Sequence, residues 1–132
     1  MNLNKLHHVA IICSDYEQAK EFYVGKLGLP LIREVYRPER RDYILTLLAG
    51  NVEIELFIME NPPQRITNPE ARGLRHLAFH VENIDPVISW LNSKMSTIEN
   101  SSTIRTSQGI GLSWLRWNFI SFLLPGTTSS RR

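Results

Sequence analysis

The sequence predicts an α+β protein built from two β-α-β-β-β units. One stretch recurs 68 residues later: segment 6–12, LHHVAII, matches segment 74–80, LRHLAFH. Each copy continues from an apolar strand through a polar turn into an amphipathic helix. A repeat at a fixed offset indicates two copies of one supersecondary unit. Both copies carry a histidine at the same point of the strand, His8 and His76.

Composition and charge exclude several classes of protein. The 132 residues suffice for one compact domain or two small packed halves, and the apolar (42%) and charged (21%) fractions are those of an ordinary globular protein. The net charge of +2 is too small to indicate nucleic acid or an anionic membrane as a partner. The single cysteine, Cys13, is expected to be a buried small apolar residue. Without an internal disulfide, a signal peptide or a bilayer-length apolar run, the chain is expected to be cytoplasmic.

The first unit is predicted from the alternation of strands and the 3.6-residue period of helices. Strands are expected at 5–13, 31–36, 43–49 and 52–59, with a helix at 16–26. Asp15 is suited to cap the start of that helix and Gly28 its end. Gly50 is expected to form a tight turn between the last two strands.

The second unit is predicted by analogy with the first. A proline-rich linker at 61–73 precedes a strand at 74–81 and a helix that begins within 83–85. Three strands should follow, of which segment 112–124 could supply one or two. Segment 96–111 shows no clear periodicity, and 127–132 has the composition of a frayed tail.

The composition changes abruptly near Met95. Residues 1–94 hold 11 Lys/Arg and 12 Asp/Glu, whereas residues 95–132 hold four arginines and a single acid, Glu99. The same 38 residues contain 13 Ser/Thr and two of the three tryptophans. The last quarter therefore lacks the charge pattern of the rest of the chain.

Strand alternation suggests a metal site. If the two like strands lie side by side in a curved sheet, His8, His76, either Glu53 or Glu55, and also His80 face inward. Imidazole nitrogens and carboxylate oxygens suit a divalent transition metal such as zinc, nickel, cobalt, manganese or iron. The alternative is that these are packed or hydrogen-bonded histidines, because their long spacing forms no local metal motif.

Other polar residues have two interpretations each. His7 is expected on the opposite strand face from its neighbour, in a structural or exposed role. His80 is expected to support the metal ligands or to face the substrate. Arg37, Arg40 and Arg41 form a charged turn that is either solvated or able to hold the carboxylate of an anionic substrate, with Arg37 as the candidate substrate-binding residue.

Several motifs together resemble a known family. They are LHHVAI at 6–11, FY with LG at 22–28, VEIELF at 52–57 and GLRHLAF at 73–79. Over residues 3–94 the chain is similar to the glyoxalase I branch of the vicinal oxygen chelate superfamily, in particular to small bacterial glyoxalase/bleomycin-resistance/dioxygenase proteins of the lactoylglutathione lyase type.

The resemblance implies a fold and a set of metal ligands. The fold is a single domain of paired βαβββ modules that form a curved, half-open eight-stranded sheet around one divalent transition metal. Its parts are module one (3–60), a linker (61–73) and module two (74–126), which is atypical from 95 and expected to be incomplete or irregular. The implied metal ligands are His8, Glu55 and His76.

Glyoxalase-type members carry a fourth ligand, a glutamate on the last strand after an Asp-Pro-Asp-Gly-type turn. Here the counterpart of Glu55 at the repeat offset is Leu123, and no acid follows Glu99. The resemblance then assigns the catalytic proton transfer to Glu55 alone, with weak or absent isomerase activity as the expected consequence.

Two explanations of the unusual last quarter remain open. A reading-frame change near codon 95 would replace the family's glycine and its acidic and basic strands with an unrelated Ser/Thr/Trp-rich sequence. A divergent but genuine C-terminus is the alternative. Sequencing the encoding DNA and translating the other two frames separates them, because only a frame change yields a family-like ending in another frame.

The resemblance implies three alternative functions. The first is a metal-dependent lyase or isomerase, lactoylglutathione lyase-like, which acts on a small vicinal-oxygen substrate such as a 2-oxoaldehyde–thiol adduct. The second is a non-haem iron dioxygenase, and the third is a non-catalytic small-molecule binding protein. A small molecule is therefore the expected partner, without nucleic acid or membrane. Family members often dimerise, so a homodimer is also expected.

Overall fold

The computed structural model of the chain describes residues 1–64, 66, 69, 71–74, 76–94, 103–105, 111–115 and 119–123. The chain divides into two compact units, Met1–Pro62 and Pro63–Arg132. Among the described residues, no helix has both the length and the apolar character needed to cross a membrane.

The first unit contains four strands and one helical segment. Its elements are β1 (His8–Cys13), α1 (Tyr16–Lys20), a π-helical continuation (Glu21–Lys26), β2 (Leu31–Arg37), β3 (Asp42–Ala49) and β4 (Val52–Ile58). The strand order is β1-β4-β3-β2, with β1 parallel to β4 and the other neighbours antiparallel. The predicted βαβββ order of this unit is confirmed.

The ends of the helical segment have the predicted caps. The Asp15 carboxylate accepts a hydrogen bond from the backbone N–H of Gln18 at 2.8 Å, which satisfies one of the free donors of the first turn. Gly28 takes a φ of +69°, a conformation that a residue without Cβ adopts freely. The second half of the segment is π-helical, and the backbone N–H of Leu27 bonds to the carbonyl of Phe22.

One face of the sheet forms the core of this unit. Tyr16 on the helix stacks against Tyr43 on β3, with ring centroids 4.8 Å apart, and its hydroxyl donates a hydrogen bond to Glu34 on β2. Apolar side chains fill the space beneath the helix because they alternate on β3 and β4. The fully buried ones are Phe22, Leu45, Leu47, Ile54 and Leu56.

A hydrogen-bonded cluster fastens the helix to the edge strand. Lys20 donates to the Tyr16 hydroxyl at 2.6 Å and to Glu34 at 3.0 Å. These bonds raise the pKa of Lys20 and, together with the Tyr16 hydroxyl, lower the pKa of Glu34. The cluster lies on the helix side of the sheet and serves to hold α1 in place.

The second unit repeats the order of elements but not every strand direction. Its elements are β5 (His76–His80), α2 (Ile84–Lys94), β6 (Thr103–Arg105), β7 (Gly111–Leu115) and β8 (Phe119–Leu123). The strand order is β5-β8-β7-β6, which is equivalent to the order in the first unit. However, β5 is antiparallel to β8, whereas β1 is parallel to β4. The expected irregularity of module two stays a prediction. Each unit has its own four-stranded sheet, and the single eight-stranded sheet stays a prediction.

Candidate metal and substrate site

The face of the first sheet opposite the helix carries the site residues predicted within the first unit. We call it the site face. In strand register, Ala10, Glu55, Thr46 and Arg33 form one row across β1, β4, β3 and β2. Paired residues of neighbouring strands project from the same face, so the last three place a carboxylate, a hydroxyl and a guanidinium side by side. His8 lies two residues before Ala10 on β1 and therefore on the same face. Its register partner on β4 is Glu53.

The structure brings together two of the predicted metal ligands, His8 and Glu55. The Nε2 atom of His8 is 3.9 Å from the Oε2 atom of Glu55. Two donors that each bind one zinc ion at about 2.1 Å lie at most about 4.2 Å apart, and about 3.4 Å apart in a tetrahedral site. The pair therefore fits a shared divalent ion after a small side-chain movement. Of the two candidate glutamates, Glu55 is the one whose carboxylate lies beside His8.

His7 lies beside His8, contrary to the expectation that it points away. It precedes β1, so strand alternation does not govern its direction. The Nδ1 atoms of the two rings are 2.9 Å apart and the rings meet edge to face. If His8 donates through Nδ1, its Nε2 lone pair is directed toward Glu55, in the arrangement that histidine metal ligands use in proteins.

Arg33 approaches Glu55 from the other side. One terminal nitrogen of its guanidinium is 3.7 Å from Oε1 of Glu55. The two oxygens of the carboxylate thus have different neighbours, His8 at Oε2 and Arg33 at Oε1. Thr46, between Arg33 and Glu55 in the row, is 3% exposed, and its hydroxyl has no hydrogen-bond partner among the described residues.

Arg37 is already paired with a carboxylate. Its guanidinium donates two hydrogen bonds to Asp42, from Nε at 2.8 Å and from a terminal nitrogen at 2.5 Å. These bonds lower the pKa of Asp42 and raise that of Arg37. Arg37 also lies over the ring of Phe57 on the site face, 5.4 Å from its centroid. Substrate binding by Arg37 stays a prediction, but this pairing occupies the group that would make it.

Arg41 of the charged turn is paired with a glutamate, and Cys13 is buried. Arg41 pairs with Glu60 at 3.0 Å and adopts a φ of +51° in the turn between β2 and β3. Cys13 is buried, as predicted, and desolvation raises the pKa of its thiol to about 12. A thiol that stays protonated at neutral pH is a poor nucleophile and a poor metal ligand.

The remaining predicted residues belong to the second unit. His76 and His80 are the first and last residues of β5; strand alternation places them on one face, and both are exposed. Within the described residues of each unit, no three His, Cys, Asp or Glu side chains form a metal-binding cluster. The three-ligand set of His8, Glu55 and His76 and the role of His80 at the substrate therefore stay predictions.

Sequence reasoning missed Arg33 and Thr46. Alternation within a strand does not show that Arg33 and Thr46 lie beside a glutamate of another strand. The missing information was the register of β2, β3 and β4, which includes an irregularity between Leu31 and Arg33. Such a shift changes which residues of the two strands face each other, and the alternation within β2 alone does not show it.

Comparison with known proteins places these features in a family. The uncharacterized protein YwkD of Bacillus subtilis is 55% identical over 95 residues, which cover 71% of this chain and 74% of YwkD. Human mitochondrial methylmalonyl-CoA epimerase is 31% identical over 97 residues, 70% of this chain and 55% of that protein. The crystal structure of a glyoxalase family protein from Enterococcus faecalis superposes with a TM-score of 0.71 at 41% identity, covering 96% of this chain and 94% of that one.

The family model of the Glyoxalase/Bleomycin resistance protein/Dioxygenase superfamily matches residues 5–110. This match contains all of β1 to β4, with His8 and Glu55, and all of β5, with His76. It also extends beyond residue 94, where the composition of the chain changes. The chain therefore belongs to the Glyoxalase/Bleomycin resistance protein/Dioxygenase superfamily.

Proposed function

We propose that the protein is a metal-dependent lyase or isomerase of the glyoxalase I type. Its substrate would be a small vicinal-oxygen compound such as a 2-oxoaldehyde–thiol adduct. The observation that supports this most directly is the pairing of His8 with Glu55, an imidazole nitrogen 3.9 Å from a carboxylate oxygen on the site face. Superfamily membership provides the scaffold, on which the site residues determine the reaction.

The cofactor of this proposal is one divalent transition metal: zinc, nickel, cobalt, manganese or iron. His8 and Glu55 would hold it together with His76 from the second unit. The donor set fits, since two imidazoles and a carboxylate leave positions open for substrate oxygens. When bound, the ion supplies Lewis acidity that polarises a carbonyl and makes the neighbouring C–H more acidic.

Glu55 is the residue that moves the proton. Its Oε2 faces His8 while its Oε1 faces Arg33 and lies away from His8. A substrate above this row would give the proton of its activated C–H to Oε1, and the same oxygen would return it to the neighbouring carbon. The hydroxyl proton of the adduct passes to the neighbouring oxygen at the same time, so the isomerisation consumes no net proton. Glu55 acts alone in this chain, and we expect weaker activity than in glyoxalase-type members that carry the last-strand glutamate.

A second candidate is epimerisation of a carboxylated acyl thioester. It is favoured by the 31% identity to human methylmalonyl-CoA epimerase and by the cation of Arg33 beside Glu55. Both reactions begin with removal of a proton next to a carbonyl, so Glu55 would have the same role. They differ in the second step: Glu55 returns the proton to the adjacent carbon in the isomerase, whereas in the epimerase a second acid, on the opposite side of the substrate, must deliver a proton to the same carbon.

Reconstitution with single metals tests the proposal. The protein is stripped with chelator, loaded in turn with nickel, cobalt, zinc or manganese, and assayed with the methylglyoxal–glutathione adduct and with a 2-carboxyacyl thioester in deuterated water. We expect metal-dependent turnover or deuterium incorporation with one substrate, reduced about a hundredfold or more in Glu55→Gln. Glu53→Gln, on the same strand face, is the matched control and should keep the activity.

Other results would contradict the proposal. Turnover that requires ferrous iron and consumes oxygen would indicate a dioxygenase instead. If Glu55→Gln kept both its activity and its deuterium exchange, Glu55 would have no part in the proton transfer. Size-exclusion chromatography with light scattering tests the expected homodimer separately.

A further inference from the structure

The side chain of Arg33 on β2 reaches past β3 to a residue on β4. It lies on β2, and Glu55 lies two strands away on β4, so their backbones are separated by about 9.6 Å. The guanidinium nevertheless comes within 3.7 Å of the Glu55 carboxylate. The Arg33 side chain must therefore extend over the residue between them, Thr46, while remaining 62% exposed itself.

The Arg33–Glu55 contact leaves hydrogen-bonding capacity unused. At 3.7 Å the two groups form an ion pair but not a direct hydrogen bond. A guanidinium has five N–H donors in a planar fork, which matches the two oxygens of a carboxylate. Within the described part of the chain, Glu55 is the one acid with which Arg33 forms an ion pair. By contrast, Arg37 and Arg41 are paired with Asp42 and Glu60 at 3.0 Å or less.

Thr46 provides a second, independent observation. Its side chain is 3% exposed and its Oγ1 atom has no hydrogen-bond partner among the described residues. A buried hydroxyl without a partner is unfavourable, and native proteins contain few of them. In register Thr46 lies between Arg33 and Glu55. A polar ligand that enters the row would supply the missing partner.

We propose that Arg33 and Thr46 bind a carboxylate of the substrate beside Glu55. The ligand's carboxylate takes two N–H donors of Arg33, draws the guanidinium off Glu55 and accepts a hydrogen bond from the Thr46 hydroxyl. This inference rests on the proposed function, in which Glu55 moves the proton, and it favours a carboxylated substrate over the uncharged 2-oxoaldehyde part of a thiol adduct. The substrate is a small anionic compound whose carboxylate is adjacent to the carbonyl carbon or to the carbon that loses its proton.

Nuclear magnetic resonance tests this site directly on the full-length, metal-free protein. The probe is sodium pyruvate, titrated at constant ionic strength, while the side-chain Nε–Hε signal of Arg33 and the methyl signal of Thr46 are followed. Pyruvamide, which lacks the negative charge, and chloride are the matched ligands for comparison. We expect saturable shifts of both signals with pyruvate and none with pyruvamide or chloride.

Variants identify the groups responsible. We expect Arg33→Met to weaken pyruvate binding about tenfold or more, and Arg33→Lys to weaken it by less, because lysine keeps the charge but loses the fork. Thr46→Val keeps the shape of the side chain and should weaken binding about threefold to tenfold, whereas Thr46→Ser should restore it. Arg41→Met is the control, since Arg41 pairs with Glu60 outside the row.

Equal affinity in Arg33→Met and the parent would overturn the proposal, as would identical shifts with pyruvate and pyruvamide. The wild-type titration and Arg33→Lys decide the matter if Arg33→Met does not fold. A cobalt titration of the same samples separates this inference from the proposed function. Pyruvate binding without cobalt binding would contradict the metal-dependent reaction alone, and cobalt binding without pyruvate binding would contradict the carboxylate site alone.

Discussion

At the scale of single residues, the site depends on which nitrogen and which oxygen face each other. Glu53 is the register partner of His8, yet the carboxylate of Glu55, two residues along β4, is the one beside its ring. Sequence alternation could place both glutamates on one face but could not choose between them. The choice depends on side-chain reach, which alternation does not encode. His7, which precedes β1, is exposed as expected, but its ring contacts that of His8.

The contact between His7 and His8 makes a prediction about metal affinity. Replacing His7 with Phe removes the group that holds Nδ1 of His8, so we expect cobalt affinity to fall about 10- to 100-fold without a change in stoichiometry. His7→Gln offers an amide oxygen to the same N–H and should recover most of the loss. Cobalt titration followed by visible absorption measures both. An unchanged affinity in His7→Phe would show that His7 does not orient His8.

At the scale of elements, the first unit followed its hydrophobic pattern closely. Its strands and its helical segment begin and end within three residues of the predicted bounds, because alternation and capping residues determine them locally. The π-helical half was not predictable, since a 3.6-residue period does not distinguish it from α-helix. In the second unit, the antiparallel pairing of β5 with β8 was also beyond reach, because strand direction in a sheet depends on tertiary packing.

The core beneath α1 makes a prediction about stability. Leu56 is fully buried on β4, so Leu56→Ala should lower the free energy of unfolding by about 2–5 kcal/mol through lost burial and the cavity left behind. Leu48 lies on the other face of β3 and is 40% exposed, and Leu48→Ala should cost about 1 kcal/mol or less. Urea unfolding of the two variants measures the difference. Similar losses would contradict the assignment of the two faces.

The β2–β3 connection makes a prediction about pH. Hydrogen bonds from Arg37 lower the pKa of Asp42, so folding favours the ionised carboxylate. The resulting stabilisation is complete above the ordinary aspartate pKa of about 3.9 and is lost as the pH falls through the lower pKa of the folded protein. Asp42→Asn should therefore lower the melting temperature at pH 7, and this difference should shrink at acid pH.

Thermal unfolding of Asp42→Asn and the parent between pH 7 and pH 2 tests this directly. Glu60→Gln is the control, because the Arg41–Glu60 pair is exposed on both sides and contributes about 0.5 kcal/mol or less. A difference between Asp42→Asn and the parent that grows as the pH falls would contradict the assigned sign.

At the scale of the whole molecule, the repeat and the family motifs predicted the fold class before any register was known. Residues 95–132 were the part of the chain for which the sequence pattern predicted least. No sequence pattern within 95–132 provides the glutamate that glyoxalase-type members carry on the last strand. We therefore propose a ligand set without that glutamate, made of His8, Glu55 and His76.

Metal stoichiometry tests the central claim of this account most directly. Elemental analysis of untagged protein, loaded with cobalt or nickel and then desalted, should give about one ion per chain. The single variants His8→Ala, Glu55→Gln and His76→Ala should each lose most of it, whereas His80→Ala should retain it. No bound metal in the parent, or full retention in all three ligand variants, would contradict the claim that these residues hold a catalytic metal.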